Sequence, residues 1–188
     1  MIFPPILIFL DASHATIRNR ATVILSNILE RIDNPILAKT GLAEVVWTVI
    51  FPNLSTLPPI TDLDESVALL TVTYTALISL ARLWYPSLQK RAALLDKVVR
   101  DGFVFAMMFQ ADKLKVVEVE LQSLNLLISE MDIYFVKHLK VLCVCSVLIS
   151  VHNTNHLIYP SESTWKQSSS TITACPSNPG KDNQCLFA

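Results

Sequence analysis

Pro4-Pro5-Ile6-Leu7-Ile8-Phe9-Leu10-Asp11, followed by Ile17-Arg18-Asn19-Arg20-Ala21 and Ile24-Leu25, is the stretch that decides the fold. A short apolar helix reaches an Asp, the chain turns, and a longer helix follows. Arg sits on the first turns of that second helix, and Ala where close packing is needed. This is the pattern of an antiparallel helix pair that stacks on its neighbours. Such pairs bury their apolar stripes against one another and build surfaces for other proteins. The stretch predicts a binding scaffold and no enzyme.

The same period continues along the chain. Ser13 to Ile32 places Ile17, Ala21, Ile24, Leu25 and Ile28 on one face, with Arg18, Arg20, Asn27 and Arg31 mostly outside. Asp11 and Ser13 are candidate N-caps. Asn34-Pro35 closes the unit, because proline disfavours helix at the residue before it. A short turn over Ile36 to Lys39 and Thr40-Gly41 lead into a helix from Leu42 to Leu54, which Pro52 bends or ends. Leu57-Pro58-Pro59 is a firm break.

Thr61-Asp62-Leu63-Asp64-Glu65 is an acidic helix start, with Thr61 or Asp62 as cap. Behind it Val67, Leu70, Tyr74, Leu77, Ala81 and Trp84 form a stripe, which Leu69, Thr73, Ala76, Leu80 and Leu83 widen. So broad a face predicts packing on more than one neighbour. Tyr85-Pro86 ends that helix. From Ser87 to Phe109 the inward set reads Leu88, Ala92, Leu95, Val98, Gly102 and Phe105, with Asp96–Arg100 and Lys97–Asp101 as outer pairs. Lys113 to Met131 uses Leu114, Val117, Leu121, Leu124 and Ile128. A last helix spans about 131–151. The expectation is an all-α, right-handed stack of helical hairpins with about six or seven helices.

Composition sets limits. The chain has 188 residues, is 52% hydrophobic and carries a formal net charge of −1. That supports one sizeable core or several helix pairs. With Gly at only 3, a sheet-rich fold or a phosphate-cradling loop is disfavoured. Near-neutral charge disfavours a nucleic-acid surface built on positive potential. After Lys140 the apolar-rich stretch without charge, Val141 to Val151, falls short of the roughly 20 residues that span a bilayer, so no membrane partner is expected. Met1 to Leu10 lacks the basic start of a secretory signal and holds Pro4-Pro5 in its middle. Cys143, Cys145, Cys175 and Cys185 all follow Lys140, which suits a reducing compartment. Cytoplasm or nucleus is the expected location.

The composition changes after Lys140. The residues up to Lys140 hold 27 of the 31 charged side chains, and only Glu162, Lys166, Lys181 and Asp182 follow. Two parts are therefore expected: a helical stack over 1–151 and a disordered or aberrant tail over 152–188, rich in Ser, Thr, Asn and Pro from Pro160. A splice donor beginning GT would encode Val directly after Lys140, so the tail reads as translated intron or an out-of-frame extension. An uninterrupted spliced exon across codon 141 would contradict this.

Chemistry is sparse. No Walker loop, dinucleotide fingerprint, His-Glu-x-x-His pair or Gly-x-Ser-x-Gly elbow is present. Cys143 and Cys145 with His152 and His156 match no common zinc spacing, and thiols one residue apart on a helix point to different faces. Glu118/Glu120 and Asp62/Asp64 read as solvated faces or helix starts. No catalytic, metal or cofactor residue is expected. Trp47 and Phe51, at i and i+4, read as core or as partner-binding aromatics. Lys90 and Arg91, with Lys97 and Arg100, read as a solvated face or as a patch for an anionic partner.

Several motifs in order resemble a known family. They are Leu37-Ala38-Lys39-Thr40-Gly41-Leu42-Ala43-Glu44-Val45-Val46-Trp47, Phe51-Pro52-Asn53-Leu54-Ser55-Thr56-Leu57-Pro58-Pro59, Asp64-Glu65-Ser66-Val67-Ala68-Leu69-Leu70, Arg91-Ala92-Ala93-Leu94-Leu95-Asp96-Lys97 and Val136-Lys137-His138-Leu139-Lys140. Together they resemble the fungal form of TELO2-interacting protein 2 over about residues 3–140. The resemblance implies a HEAT- or armadillo-like fold without catalytic residues. It implies assembly with Tel2 and a sister Tel2-interacting protein in the TTT complex, which works with Hsp90 to mature phosphatidylinositol-3-kinase-related kinases of TOR and DNA-damage signalling. Some fungal members also join the chromatin-associated ASTRA assembly.

Family members extend further on the N-terminal side, so the resemblance implies a piece that begins mid-stack. A stack cut at its ends exposes apolar faces. Self-association is the expected result in size-exclusion chromatography with light scattering, and a monodisperse, cooperatively melting monomer contradicts it. A generic HEAT-like module with another partner is the alternative reading. A small helical enzyme would need a pocket of converging polar groups, whereas the inward positions are almost all apolar.

Overall fold

The structure is a computed structural model and describes residues 3–31 and 40–158. Two compact units are distinguished, Met1–Asn153 and Thr154–Ala188, and the helical stack lies in the first. The closing Asn34-Pro35, the turn at Ile36 to Lys39, and the tail beyond residue 158 fall outside the described residues.

Helix α1 spans Phe3–Leu10 and α2 spans Ala15–Leu29. Helix α3, Leu42–Ile50, runs into a 3₁₀ turn over Phe51–Ser55, where Pro52 lacks the N–H that a continuing α-helix requires. Helix α4 spans Leu63–Trp84. Helix α5 covers 88–110 as α-helical Leu88–Lys97, π-helical Val98–Val104 and α-helical Phe105–Gln110. Helix α6 is Leu114–Met131. A 3₁₀ stretch, Asp132–His138, then leads into α7, Leu139–Ile158, which continues past the expected end at Val151. No strand occurs among the described residues. The chain is all-α, as expected.

The second helices of successive hairpins, α2, α4 and α6, pack in chain order in one layer. The first helices form the other layer: α1 lies against α3, and the 3₁₀ end of α3 lies against α5. Helix α4 therefore meets α2 on one side, α6 on the other and α3 beneath. This accounts for its breadth of apolar residues: Leu69, Leu70, Thr73, Tyr74, Ala76, Leu77, Leu80 and Ala81 are all buried. Among the described residues α4 is also the helix long and apolar enough to cross a membrane by length and composition. Burial on several sides within the stack gives the same composition.

The start of α4 forms as read. Asp62 is its N-cap, and its carboxylate accepts from the Asp64 N–H at 3.2 Å. Asp62→Ala is expected to cost about 1 kcal/mol, read as a lower urea midpoint. The start of α2 differs from expectation. Its N-cap is His14, with no side-chain capping bond, and neither Asp11 nor Ser13 caps it. Asp11 instead continues the turn of α1, its N–H bonding the Leu7 carbonyl at 3.2 Å.

Three inward faces also differ. On α2, Ile17 and Ile24 are exposed, while Thr22 and Leu29 are buried beside Ala21 and Leu25. Phe105 is exposed, and Phe103 is buried in its place. On α6, Leu114, Leu121 and Ile128 are exposed, while Val116, Val117, Glu120, Ser123, Leu124, Leu127 and Met131 are buried. Between the layers, Gly102 of α5 allows Leu54 and Tyr74 to approach. A Cβ there would stand 2.9 Å from Leu54 Cδ1 and 3.0 Å from Tyr74 Oη. Alanine gains about 1 kcal/mol of helix propensity over glycine, but overpacking costs about 1–3 kcal/mol. Gly102→Ala is expected to be net destabilising and to lower the thermal midpoint, although an exposed helical Gly→Ala change raises it.

Candidate protein-docking surface

Trp47 faces inward from α3 at 8% exposure. Its ring stacks on half-buried Phe51, centroids 5.6 Å apart, and meets Trp84 edge-on at 6.5 Å. Trp84 stacks in turn on Tyr85 at 5.1 Å. The four rings bind α3 to the end of α4, and Trp47 offers little surface to a partner.

Lys90 and Arg91 are not brought together as one patch. Lys90 is exposed and lines a shallow groove with Lys97, Tyr85, Ala93 and Leu94. Arg91 is half-buried and turns to α6, its Nε 3.6 Å from Glu130 Oε2. Arg82 of α4 also donates to Glu130. The bond from Arg82 is the main influence holding the Glu130 carboxyl below its ordinary range, against an opposing effect of burial. Glu130 thereby ties α4 and α5 to α6.

Asp96 plays a similar part on α5. Lys137 Nζ lies 2.8 Å from it, Arg100 Nε 3.4 Å, and His138 Nε2 2.7 Å, the last off the line of a hydrogen bond. Burial works to raise the Asp96 carboxyl, but these cations outweigh it and hold it low. Burial, with smaller effects from Lys137 and Arg100, lowers the His138 pKa against the attraction of Asp96.

Glu120 and Arg18, both of which read as outer residues, are drawn inward. Glu120 reads as solvated but is fully buried, and its Oε2 accepts from Tyr74 Oη at 2.6 Å. Burial raises its carboxyl to about 7, and the Tyr74 bond offsets this in part. Its Oε1 is buried with no donor. The second is Arg18. Read as an outer residue, it is half-buried and donates from Nη1 to Asn53 Oδ1 at 2.9 Å and Thr56 Oγ1 at 3.2 Å. Asn53 itself is 1% exposed. The contact joins α2 to the 3₁₀ end of α3.

Of the four residues that could be drawn as a metal site, the side chains of His152 and His156 lie outside the described ones. Cys143 is exposed and Cys145 buried, on different faces of α7. No group of three or more His, Cys, Asp or Glu side chains among the described residues is placed to hold a metal.

These features define a class: an all-α scaffold of stacked helical hairpins whose buried polar groups tie one helix to the next. A family model described as the Tti2 family matches residues 1–151, and the chain belongs to that family. Membership carries, in general terms, the role of a TTT complex subunit alongside Tel2. The match continues beyond Lys140 to 151, so the apolar run that composition sets apart lies within the family's pattern. Within that run Cys145 is buried in the core and Leu142 packs against it. No curated protein and no solved structure matches the chain.

Proposed function

We propose that this protein is a non-enzymatic scaffold subunit. It assembles with Tel2 and a sister Tel2-interacting protein, and the complex works with Hsp90 in maturing phosphatidylinositol-3-kinase-related kinases in cytoplasm or nucleus. The family match over 1–151 carries this reading. The stack supports it, because the side chains between its layers are almost all apolar and fixed by packing, as suits a rigid support for partners. Affinity purification of the tagged chain from its native organism tests the reading. Tel2 and the sister subunit are expected to co-purify in near-stoichiometric amounts. Recovery of other proteins without either would favour a generic HEAT-like module.

A further inference from the structure

A groove of about 580 Å³ opens between α1 and the second half of α3, beside the first turns of α2. Leu7 and Ile8 form one wall, and Val45, Val49 and Pro52 the other. Arg18 and Asn53 lie in its lining, and Asp11 stands on the exposed side.

Among the described residues the lining also holds Asp11 and Thr48, and neither of these accepts a hydrogen bond from Arg18 or Asn53. Arg18 Nη1 spends its donors on two neutral oxygens, those of Asn53 and Thr56. Arg18 Nε and Asn53 Nδ2 are buried with no acceptor at all. An unmet donor in such a place costs about 1–3 kcal/mol. The guanidinium thus rests on neutral partners, in a groove whose other polar side chains are Asp11, Thr48 and Asn53. Burial lowers the Arg18 pKa, and the Coulombic effect of Asp11 is the smaller influence. Solvent around the exposed Asp11 carboxylate weakens it as a counter-charge. What the groove lacks is a carboxylate brought in without its water. Guanidinium–carboxylate bonds are about twice as strong as neutral ones, and the planar fork suits them.

We propose that this groove docks a segment of a partner protein in which one acidic side chain lies between aliphatic residues. The carboxylate meets the Arg18 guanidinium, and the aliphatic neighbours lie on Leu7, Ile8, Val45 and Val49. This deepens the scaffold reading, on which it rests, by giving the chemistry of one contact.

The test uses the full chain and three probes followed by amide chemical-shift titration. They are the tripeptide acetyl-Leu-Glu-Leu-amide, its Gln counterpart acetyl-Leu-Gln-Leu-amide, and 4-methylpentanoate. The Glu peptide is expected to bind roughly tenfold more tightly than the Gln peptide, with shifts confined to α1, α3 and the start of α2. Asp11→Asn removes the opposing charge at an exposed position. It is expected to tighten binding of the Glu peptide and leave the Gln peptide unchanged. Val45→Glu places a carboxylate on the exposed wall and is expected to abolish the preference for Glu. Arg18→Gln loses it too, but that variant also loses the tie to Asn53, so the two exposed variants decide the matter. Equal affinity for the two peptides, no saturable shift, or shifts elsewhere would overturn the proposal. So would 4-methylpentanoate binding as tightly as the Glu peptide, which would indicate a small-acid pocket. Because the probes act on the isolated chain, failure here leaves co-purification with Tel2 unaffected, and loss of Tel2 leaves the probe result readable.

Discussion

Phe103→Ala is expected to remove about 3–5 kcal/mol of stability, the range for an aromatic deleted from a packed core. Phe105→Ala is expected to cost about 1 kcal/mol or less, the order of one exposed aromatic pair. The two phenylalanines are two residues apart on the same helix and differ in almost nothing else. Phe103 is 1% exposed and Phe105 is 39% exposed. Their difference comes from the π-helical stretch Val98–Val104. A π turn bonds i to i+5 and so adds a residue to the turn, which rotates every later side chain relative to an unbroken α-helix. In an unbroken helix Val98, Gly102 and Phe105 share a face. With the extra residue Val99, Phe103, Ala106, Met107 and Gln110 turn inward, and Phe105 turns out to pair with Phe109 at 4.7 Å. Urea denaturation of the two variants checks this. Equal losses, or the larger loss at Phe105, would mean that α5 keeps plain α-helical register.

That contrast marks where the sequence stops being legible. Helix α4 is read almost residue by residue because its cap, its acidic first turn, its wide stripe and Tyr85-Pro86 all agree. Helix α5 is found, but its register changes midway, and nothing in Val98-Val99-Arg100-Asp101 announces a π turn. Packing decides it, with Gly102 seated against Leu54 and Tyr74. Helix α6 carries two apolar stripes. The sequence favours Leu114, Val117, Leu121, Leu124 and Ile128 because the competing stripe, Val116, Glu120, Ser123, Leu127 and Met131, contains a carboxylate. The competing stripe is buried throughout, together with Val117 and Leu124 of the favoured one, because Tyr74 on another helix supplies a donor to Glu120. Arg18 follows the same logic. Arginine near a helix start reads as solvated, and what draws it inward is Asn53, 35 residues further along the chain. Periodicity fixes where helices lie. Polar partners distant in sequence fix which face turns inward.

Glu120 should make the protein less stable as pH rises. Its carboxyl, buried between α4 and α6, holds its proton up to about 7 in the folded state, whereas in the unfolded chain a glutamate releases it near its ordinary value of about 4.3. Between these values the folded protein binds more protons than the unfolded one, so the stabilisation present at low pH is progressively lost on the way to about pH 7. The difference corresponds to a loss on the order of 3 kcal/mol. Other groups act in the opposite direction. His138, with its pKa lowered, loses stability as pH falls below its unfolded value. Asp96 and Glu130, held low by their cations, lose it at still lower pH. The raw profile therefore mixes signs, and the readable quantity is the difference between the wild type and Glu120→Gln. Glutamine keeps an acceptor for Tyr74 Oη and cannot ionise. Relative to wild type, the variant should gain on the order of 3 kcal/mol between pH 5 and pH 8, measured as urea midpoints across that range. Parallel profiles would mean that Glu120 is ionised in the folded state at both ends, with water or a cation reaching its second oxygen. Tyr74→Phe adds an independent check. Removing the one protein hydrogen bond to Oε2 should raise the Glu120 carboxyl further and move the loss of stability to higher pH, because the bond favours the charged form.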